Sequence, residues 1–368
     1  MLFNIFGKKT LGLDISDHSM EAVSLSGSLK SPRLLALARI KLDPGVVENG
    51  LVHKKKELTD RLKTLIASPQ FGRFTEKRAV LALPESRSFV HHFDILEKVS
   101  PDKERKIIID KAKENFPFPL EKIYFDYRIR KTEEKKDVLL AAIPKDVVNS
   151  YVEILKECQL EPMFLELESE SIARSLQEVA EKPFLLADIG ARTTNLSVID
   201  ESGLTMSVSL PVAGNAFSRS LIEQLRVLPE EAEMLKREVG LDYKKEKGRV
   251  LLVLQKEIQK IIEEIRGVDD YLEKRGGNKT KVLVLAGGSA PMPYLSNYMS
   301  ENLEKPVVIH DPWVKINIDI LRKKENLKKA LRINPVLYAT VIGSALRGLT
   351  KNPREAGLNF LPKGRSDE

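Results

Sequence analysis

Ala187-Asp188-Ile189-Gly190-Ala191-Arg192-Thr193-Thr194-Asn195 joins two apolar runs, Phe184–Asp188 and Thr194–Ile199. The stretch reads as strand, tight turn, strand, with a carboxylate closing the first strand. Small turn residues let backbone N–H groups come close to a phosphate. A strand-end Asp can meet a phosphate-bound Mg²⁺, directly or through water. The same design stands near the start of the chain, where Leu11–Ile15 runs into Gly12-Leu13-Asp14-Ile15-Ser16-Asp17-His18-Ser19, with Ala22–Leu25 as the hairpin partner. A third turn, Ala286-Gly287-Gly288-Ser289-Ala290-Pro291-Met292, follows the buried strand Val282–Ala286 and reads as leading into a helix. Glycines there let a flat base or an α-phosphate lie on the backbone at a helix N-terminus. Each turn alone is ordinary, since Asp and Gly are common turn residues. Their order carries the argument.

Around these turns short apolar strands alternate with amphipathic helices, which is the pattern of an α/β chain. Ala79–Leu83 and Thr205–Leu210 read as further strands, and Lys54–Ile66, Lys103–Asn115, Lys145–Cys158 and Ser169–Val179 as helices. The longest helix runs from about Val250 to Lys274, where Leu254, Ile258, Ile261, Ile265, Val268 and Leu272 make one packed stripe. Pro84–Leu160 has a different texture, with two strand-like stretches, a charged helix and Phe116-Pro117-Phe118-Pro119, and reads as an inserted α+β subdomain.

Composition removes several function classes. The 368 residues are 42% hydrophobic and 31% charged, which excludes a disordered chain. Sixty Lys and Arg against 53 Asp and Glu leave only +7, and aromatics are 6%, so a nucleic-acid partner is not expected. The single cysteine, Cys158, excludes an internal disulfide and a Cys-rich metal site. No apolar run reaches the ~18 to 20 residues that cross a bilayer. Met1–Phe6 precedes Lys8 and Lys9 instead of following them, which is not a secretory signal. A cytoplasmic protein is expected. His91 and His92 fall on a strand whose neighbours point to opposite faces, so they do not chelate one metal together.

Two Asp-turn hairpins followed by a Gly-Gly turn resemble the superfamily of actin, heat-shock chaperones and sugar kinases. Ala232-Glu233-Met234-Leu235-Lys236 resembles its Ala-Glu-x-x-Lys helix, which contacts ribose and base. Within that superfamily, Phe116–Leu120 with Tyr124-Phe125-Asp126-Tyr127, the stretch Ala187–Asn195, Gly214-Asn215-Ala216-Phe217 and the late helix Ala339–Gly348 resemble the PilM proteins of type IV pilus assembly. The likeness runs from Leu11 to Leu349. It implies a bilobed actin-like (duplicated ribonuclease-H-like) α/β fold with an FtsA-type 1C insert. The implied domains are a first lobe at 1–83, 161–183 and 334–350, the insert at 84–160, a second lobe at 184–213 and 278–333, its helical subdomain at 214–277, and a tail at 351–368. Implied ligands are ATP or ADP with Mg²⁺, bound by Asp14, Ser16, Asp188, Gly190, Ala191, Thr193, Asn215, Glu233, Lys236, Gly287, Gly288 and Ser289, with Asp14 and Asp188 reaching Mg²⁺ through water. The implied role is a scaffold at the inner-membrane face with little or no ATPase activity. Its partner would be the N-terminal cytoplasmic peptide of a PilN-type membrane protein, with other platform components and self-association left open. Competing readings are the cytoplasmic part of a GspL-like secretion protein, a small-molecule kinase, and an FtsA-like division protein.

The chain departs from the family's Asp-Ile-Gly-Ser-x-x-Val-Lys hairpin: Ser16, Asp17 and Glu21 stand for Gly, Ser and Lys. Two added carboxylates near the phosphates predict weakened triphosphate chemistry, which Glu21→Lys would relieve if that side chain faced them. Gly357-Leu358-Asn359-Phe360-Leu361-Pro362 is an apolar cluster ending a polar tail. It serves either as a pin to the fold or, being similar to the Asn-Leu-Leu-Pro-like element of PilN-type partners, as an occupant of the partner groove.

Overall fold

The computed structural model of the chain describes residues 8–96, 98–131, 135–176 and 181–362. It divides into two units, one of Met1–Ser175, Pro312–Asn334 and Thr340–Glu368, the other of Leu176–Asp311 and Pro335–Ala339.

In the first unit β1 (Lys9–Ile15), β2 (Ser19–Ser28) and β3 (Ser31–Lys41) pair antiparallel in sequence, and β1 takes a parallel neighbour on its other side. With the short β4 (Val47–Glu48) and β5 (Leu51–Val52) forming their own hairpin, the main sheet has the order β11-β7-β1-β2-β3-β6, adding β6 (Phe71–Gly72), β7 (Arg78–Leu83) and β11 (Glu161–Leu167). Leu11, Leu13 and Ile15 alternate with Thr10, Gly12 and Asp14, and both sets are buried because β1 is central and covered on both faces. One cover is α1 (Lys55–Ala67), packed on β2 and β3. The other is α11 (Ala339–Leu349), whose backbone lies so close that a Cβ on Gly12 would stand 2.3 Å from Val341 O.

The insert is a separate antiparallel sheet, β8-β10-β9, made of β8 (Phe89–Leu96), β9 (Ile123–Lys131) and β10 (Lys135–Pro144). It has three strands where two stretches were expected. The helix α2 (Pro101–Asn115) covers it through Ile108, Ala112 and the following Phe116. Within the range 84–160, α3 (Lys145–Glu157) packs on α1 and β11 as well as on β10, so that range also holds a helix of the main sheet. After β11 comes α4 (Glu168–Ser175), a helix expected to run to Val179; residues 177–180 lie outside the described ones. Two four-residue helices, α9 (Asp319–Arg322) and α10 (Leu327–Ala330), complete this unit.

The second unit repeats the plan. Its sheet order is β14-β13-β12-β15-β16, from β12 (Phe184–Ile189), β13 (Thr194–Asp200), β14 (Gly203–Leu210), β15 (Val282–Ala286) and β16 (Val307–Ile309). Again three antiparallel strands in sequence are followed by two parallel additions. Helices α5 (Gly214–Leu225), α6 (Pro229–Glu238), α7 (Arg249–Lys274) and α8 (Leu295–Leu303) pack with it, and the α7 stripe from Leu254 to Val268 is buried as its spacing requires. The shared strand order is the duplication that the family resemblance implied.

His310, just after β16, is almost fully buried and donates its backbone N–H to Leu285 O. Burial, opposed by Asp311, pushes its pKa down from 6.5 to about 4. A depressed folded value means the stabilisation is complete above pH 6.5 and is lost as pH falls toward 4 and below. Acidification through that window is expected to cost about 3 kcal/mol. Denaturant titrations of His310→Gln at pH 7 and pH 4 should show a flatter pH dependence; an unchanged slope would exonerate this histidine.

Candidate nucleotide site

The sequence-selected residues of the second unit come together. The β12–β13 turn closes with Gly190 N donating to Thr193 O at 3.0 Å. The turn's carbonyls then hold the start of α5: Gly214 N donates to Gly190 O at 3.1 Å and Asn215 N to Ala191 O at 2.7 Å. Across from it, Ser289 donates its backbone N–H to Ile189 O (3.1 Å) and its hydroxyl to Gly190 O (3.3 Å). Helix α6 joins the same cluster through Lys236, whose Nζ donates to Gly214 O, Ser218 Oγ and Glu233 Oε1 at 3.1, 2.8 and 2.7 Å. Ser218 hydrogen-bonds Glu233 as well. Burial raises the Glu233 pKa, but the Lys236 and Ser218 hydrogen bonds and the Lys236 charge outweigh it and hold the carboxyl below its usual range, so it is ionised at neutral pH.

The two glycines do different things. Gly287 has φ +82° and packs so tightly that a Cβ would stand 2.4 Å from Asp188 Oδ1 and 2.6 Å from Ile189 O. It is the hinge that lays the turn on the end of β12. Gly288 is exposed, with only Leu337 Cδ2 within 4 Å of a built Cβ, at 3.6 Å. It opens a backbone surface where a side chain would project. The turn does not lead straight into a helix, however: α8 begins at Leu295, so no helix N-terminus stands at Gly288.

In the first unit the β1–β2 turn closes with Ser16 N on Ser19 O at 2.9 Å, the counterpart of the Gly190 bond. Replacing Gly with Ser therefore leaves the turn geometry intact. The hydroxyl changes its chemistry, because Ser16 Oγ accepts from His18 N (3.3 Å) and Ser19 N (3.2 Å). Asp17 accepts from Asn49 N and Gly50 N at 2.7 and 3.0 Å, fastening the β4–β5 turn. Glu21 is buried and bound to Arg39 Nε at 2.6 Å, with Arg39 also reaching Ser19 Oγ. Neither added carboxylate is free to repel a phosphate. Glu21→Lys would place a buried ammonium against Arg39, so the expectation that it tightens nucleotide binding is corrected to a loss of stability. Asp14 is buried at the end of β1.

Cys158 follows α3 half-buried, with Sγ 3.6 Å from Thr59 O and its pKa pushed up by burial, the setting of an inert thiol. Sequence spacing missed one cluster: ligand atoms of His92, Asp94 and Asp137, on neighbouring strands, lie within 4.8 Å of one another. Strand pairing makes such groups, and linear spacing cannot show them. Arg130 and Lys135 already pair with Asp137 and Asp94, which makes this a cross-strand charge ladder.

The family model described as type IV pilus assembly protein PilM matches residues 12–349. Among solved structures, one described as a PilM-PilN type IV pilus biogenesis complex is similar with a TM-score of 0.76 and 23% identity, covering 92% of this chain and 98% of that one. EutJ, an ethanolamine utilization protein from Carboxydothermus hydrogenoformans, gives 0.55 and 17% over 92% and 89% of the two chains. MreB5 of Spiroplasma citri bound to ADP gives 0.51 and 15% over 91% and 94%. These likenesses show the actin-like α/β fold.

Proposed function

The chain belongs to the type IV pilus assembly protein PilM family, and from that premise we propose a nucleotide-loaded scaffold at the cytoplasmic face of the inner membrane. Its partner is the N-terminal peptide of a PilN-type membrane protein, a reading supported by the similar complex, which pairs PilM with PilN. The observation that carries the nucleotide part is the clasp of the β12–β13 turn, α5, α6 and the Gly287-Gly288-Ser289 turn. Gly190, Ala191 and Thr193 suit phosphate oxygens, and Asp188 suits a hydrated Mg²⁺. Glu233 and Lys236, beside Asn215, suit a ribose, and the bare backbone at Gly288 suits a base or an α-phosphate. Asp14 and Ser16 offer the corresponding hairpin of the first unit.

The two hairpins differ in a way that favours a ligand over a substrate. Ser16 satisfies amides of its own turn, so the first hairpin keeps fewer donors for the charge stabilisation that phosphoryl transfer needs. The nucleotide therefore holds the fold, and turnover is negligible. Among the described residues no helix is long and apolar enough to cross a membrane.

The test uses thermal denaturation with and without ATP and Mg²⁺. The nucleotide should raise the Tm by mass action, and Gly288→Val, which the fold accommodates, should remove the rise while leaving the unliganded Tm near its original value. An undiminished rise in that variant takes Gly288 out of the site. A wild-type turnover of ~1 to 100 per second, the range of kinases, would overturn the scaffold reading.

A further inference from the structure

Residues 356–361 run from a bend at 356–357 into a segment that lies between two sheet edges of the first unit, β11 of the main sheet and β9 of the insert. The contacts are of an unusual kind, because charged side chains read the backbone of the segment. Arg174 Nη2 donates to Ala356 O (2.8 Å), Arg347 Nη2 to Gly357 O (2.8 Å) and Arg347 Nη1 to Leu358 O (2.7 Å). In the other direction Leu358 N donates to Glu170 Oε2 (2.8 Å) and Asn359 N to Asp126 Oδ2 (2.9 Å). Against β11, Phe360 N donates to Leu165 O (2.9 Å), and Asn359 Oδ1 accepts from Leu165 N (3.0 Å). Leu358 and Phe360 are each 1% exposed.

Strand addition to a sheet edge is a standard way to hold a peptide: main-chain bonds give affinity and alternate side chains give selectivity. Here the main-chain bonds ask only for an extended backbone. Selectivity comes from two apolar pockets flanking one Asn. The segment reaches its place through residues 351–355, most of them exposed, so it can lift away without unthreading a strand. We infer that residues 356–361 are a self-ligand in a peptide-binding groove, which must leave before an extended peptide of pattern apolar-Asn-apolar-Leu can enter from another chain. The inference rests on reading this protein as a peptide-docking scaffold and adds that the dock is closed from within.

Tethering gives the segment an effective concentration near millimolar, so it screens out weak peptides and admits strong ones. A fluorescent peptide of residues 355–362 is titrated into the full chain and into a chain ending at Pro353. It should bind the truncated chain at least tenfold more tightly. Equal affinity for the two, or no binding to a folded truncated chain, overturns the inference. Should truncation prevent folding, the full-length double variant Asn359→Ala, Phe360→Ala carries the test. It weakens the segment's grip and keeps every groove residue, so it must bind the peptide more tightly than wild type, and failure to do so is equally decisive. A normal ATP-induced Tm rise alongside such a failure would leave the scaffold reading standing.

Discussion

Arg347→Leu is expected to lower unfolding stability by about 3 to 5 kcal/mol, the cost of breaking a buried pair by removing one partner. The guanidinium is fully buried, 2.7 Å from Glu166 Oε2, with its centre 4.4 Å from the Phe164 ring centroid. It also supplies donors to Pro353 O, Gly357 O and Leu358 O. Glu166 is itself fully buried and takes two bonds of 2.8 Å from Arg174. Burial raises the Glu166 pKa, but the charges of Arg174 and Arg347 overcome it and leave the group below its usual value. That depression stabilises the fold above pH 4.5 and fades as pH falls further. Leucine fills much of the volume but strands three carbonyls and half of a carboxylate's compensation. Arg347→Lys should rescue little, since an ammonium cannot reproduce the planar fork. Urea denaturation at pH 7 measures it, and a loss below about 1 kcal/mol would show that water can take the arginine's place.

Gly343→Ala should cost as much or more, although alanine is the better helix former by about 1 kcal/mol. A Cβ there would lie 1.7 Å from Ser171 O and 2.3 Å from Ser171 C, so α11 and α4 touch backbone to backbone. Gly12→Ala meets the same obstacle on the opposite partner, 2.6 Å from Ala345 N as well as 2.3 Å from Val341 O. A rotamer change cannot relieve a clash with main-chain atoms, so the helix must move off the sheet. Overpacking commonly costs 1 to 3 kcal/mol, and these two sites stand at or beyond about 3. Chemical denaturation decides it: equal or greater stability in either variant would mean that α11 does not sit in close contact.

The glycines also explain what was legible beforehand. Strand–turn–strand units at Asp14 and Asp188 were visible because β12 is apolar up to its closing Asp, β1 alternates Leu and Ile with small or polar residues, and both turns are small. The α7 stripe was visible because period 3.6 leaves a record over 26 residues. β3 and β11 left a poor record: each has proline as its second residue, Pro32 and Pro162, and both break register within the strand or its pairing. In the candidate site, residue types on β12, α5, α6 and after β15 could be picked out by motif. Their meeting could not be read from spacing, because bonds such as Lys236 to Gly214 O depend on how helices pack. Glu21 shows the limit most plainly. Its charge was evident in the sequence, but Arg39, one strand away, decides what the charge does.

The placement of α11 on β1 has a consequence for synthesis. Lys8 Nζ donates to Thr350 O, a bond spanning 342 residues. At ~5 to 20 residues per second, the first sheet waits roughly 20 to 70 seconds on the ribosome before its covering helix exists. The second unit is nearly continuous in sequence and can close during that wait. Throughout it the sheet face that carries Gly12 and its strand partners Val23 and Val80 lacks its covering helix, so nascent chains held before residue 339 should be the form that chaperones capture, and emergence of the whole of α11 from the ribosome should end that capture.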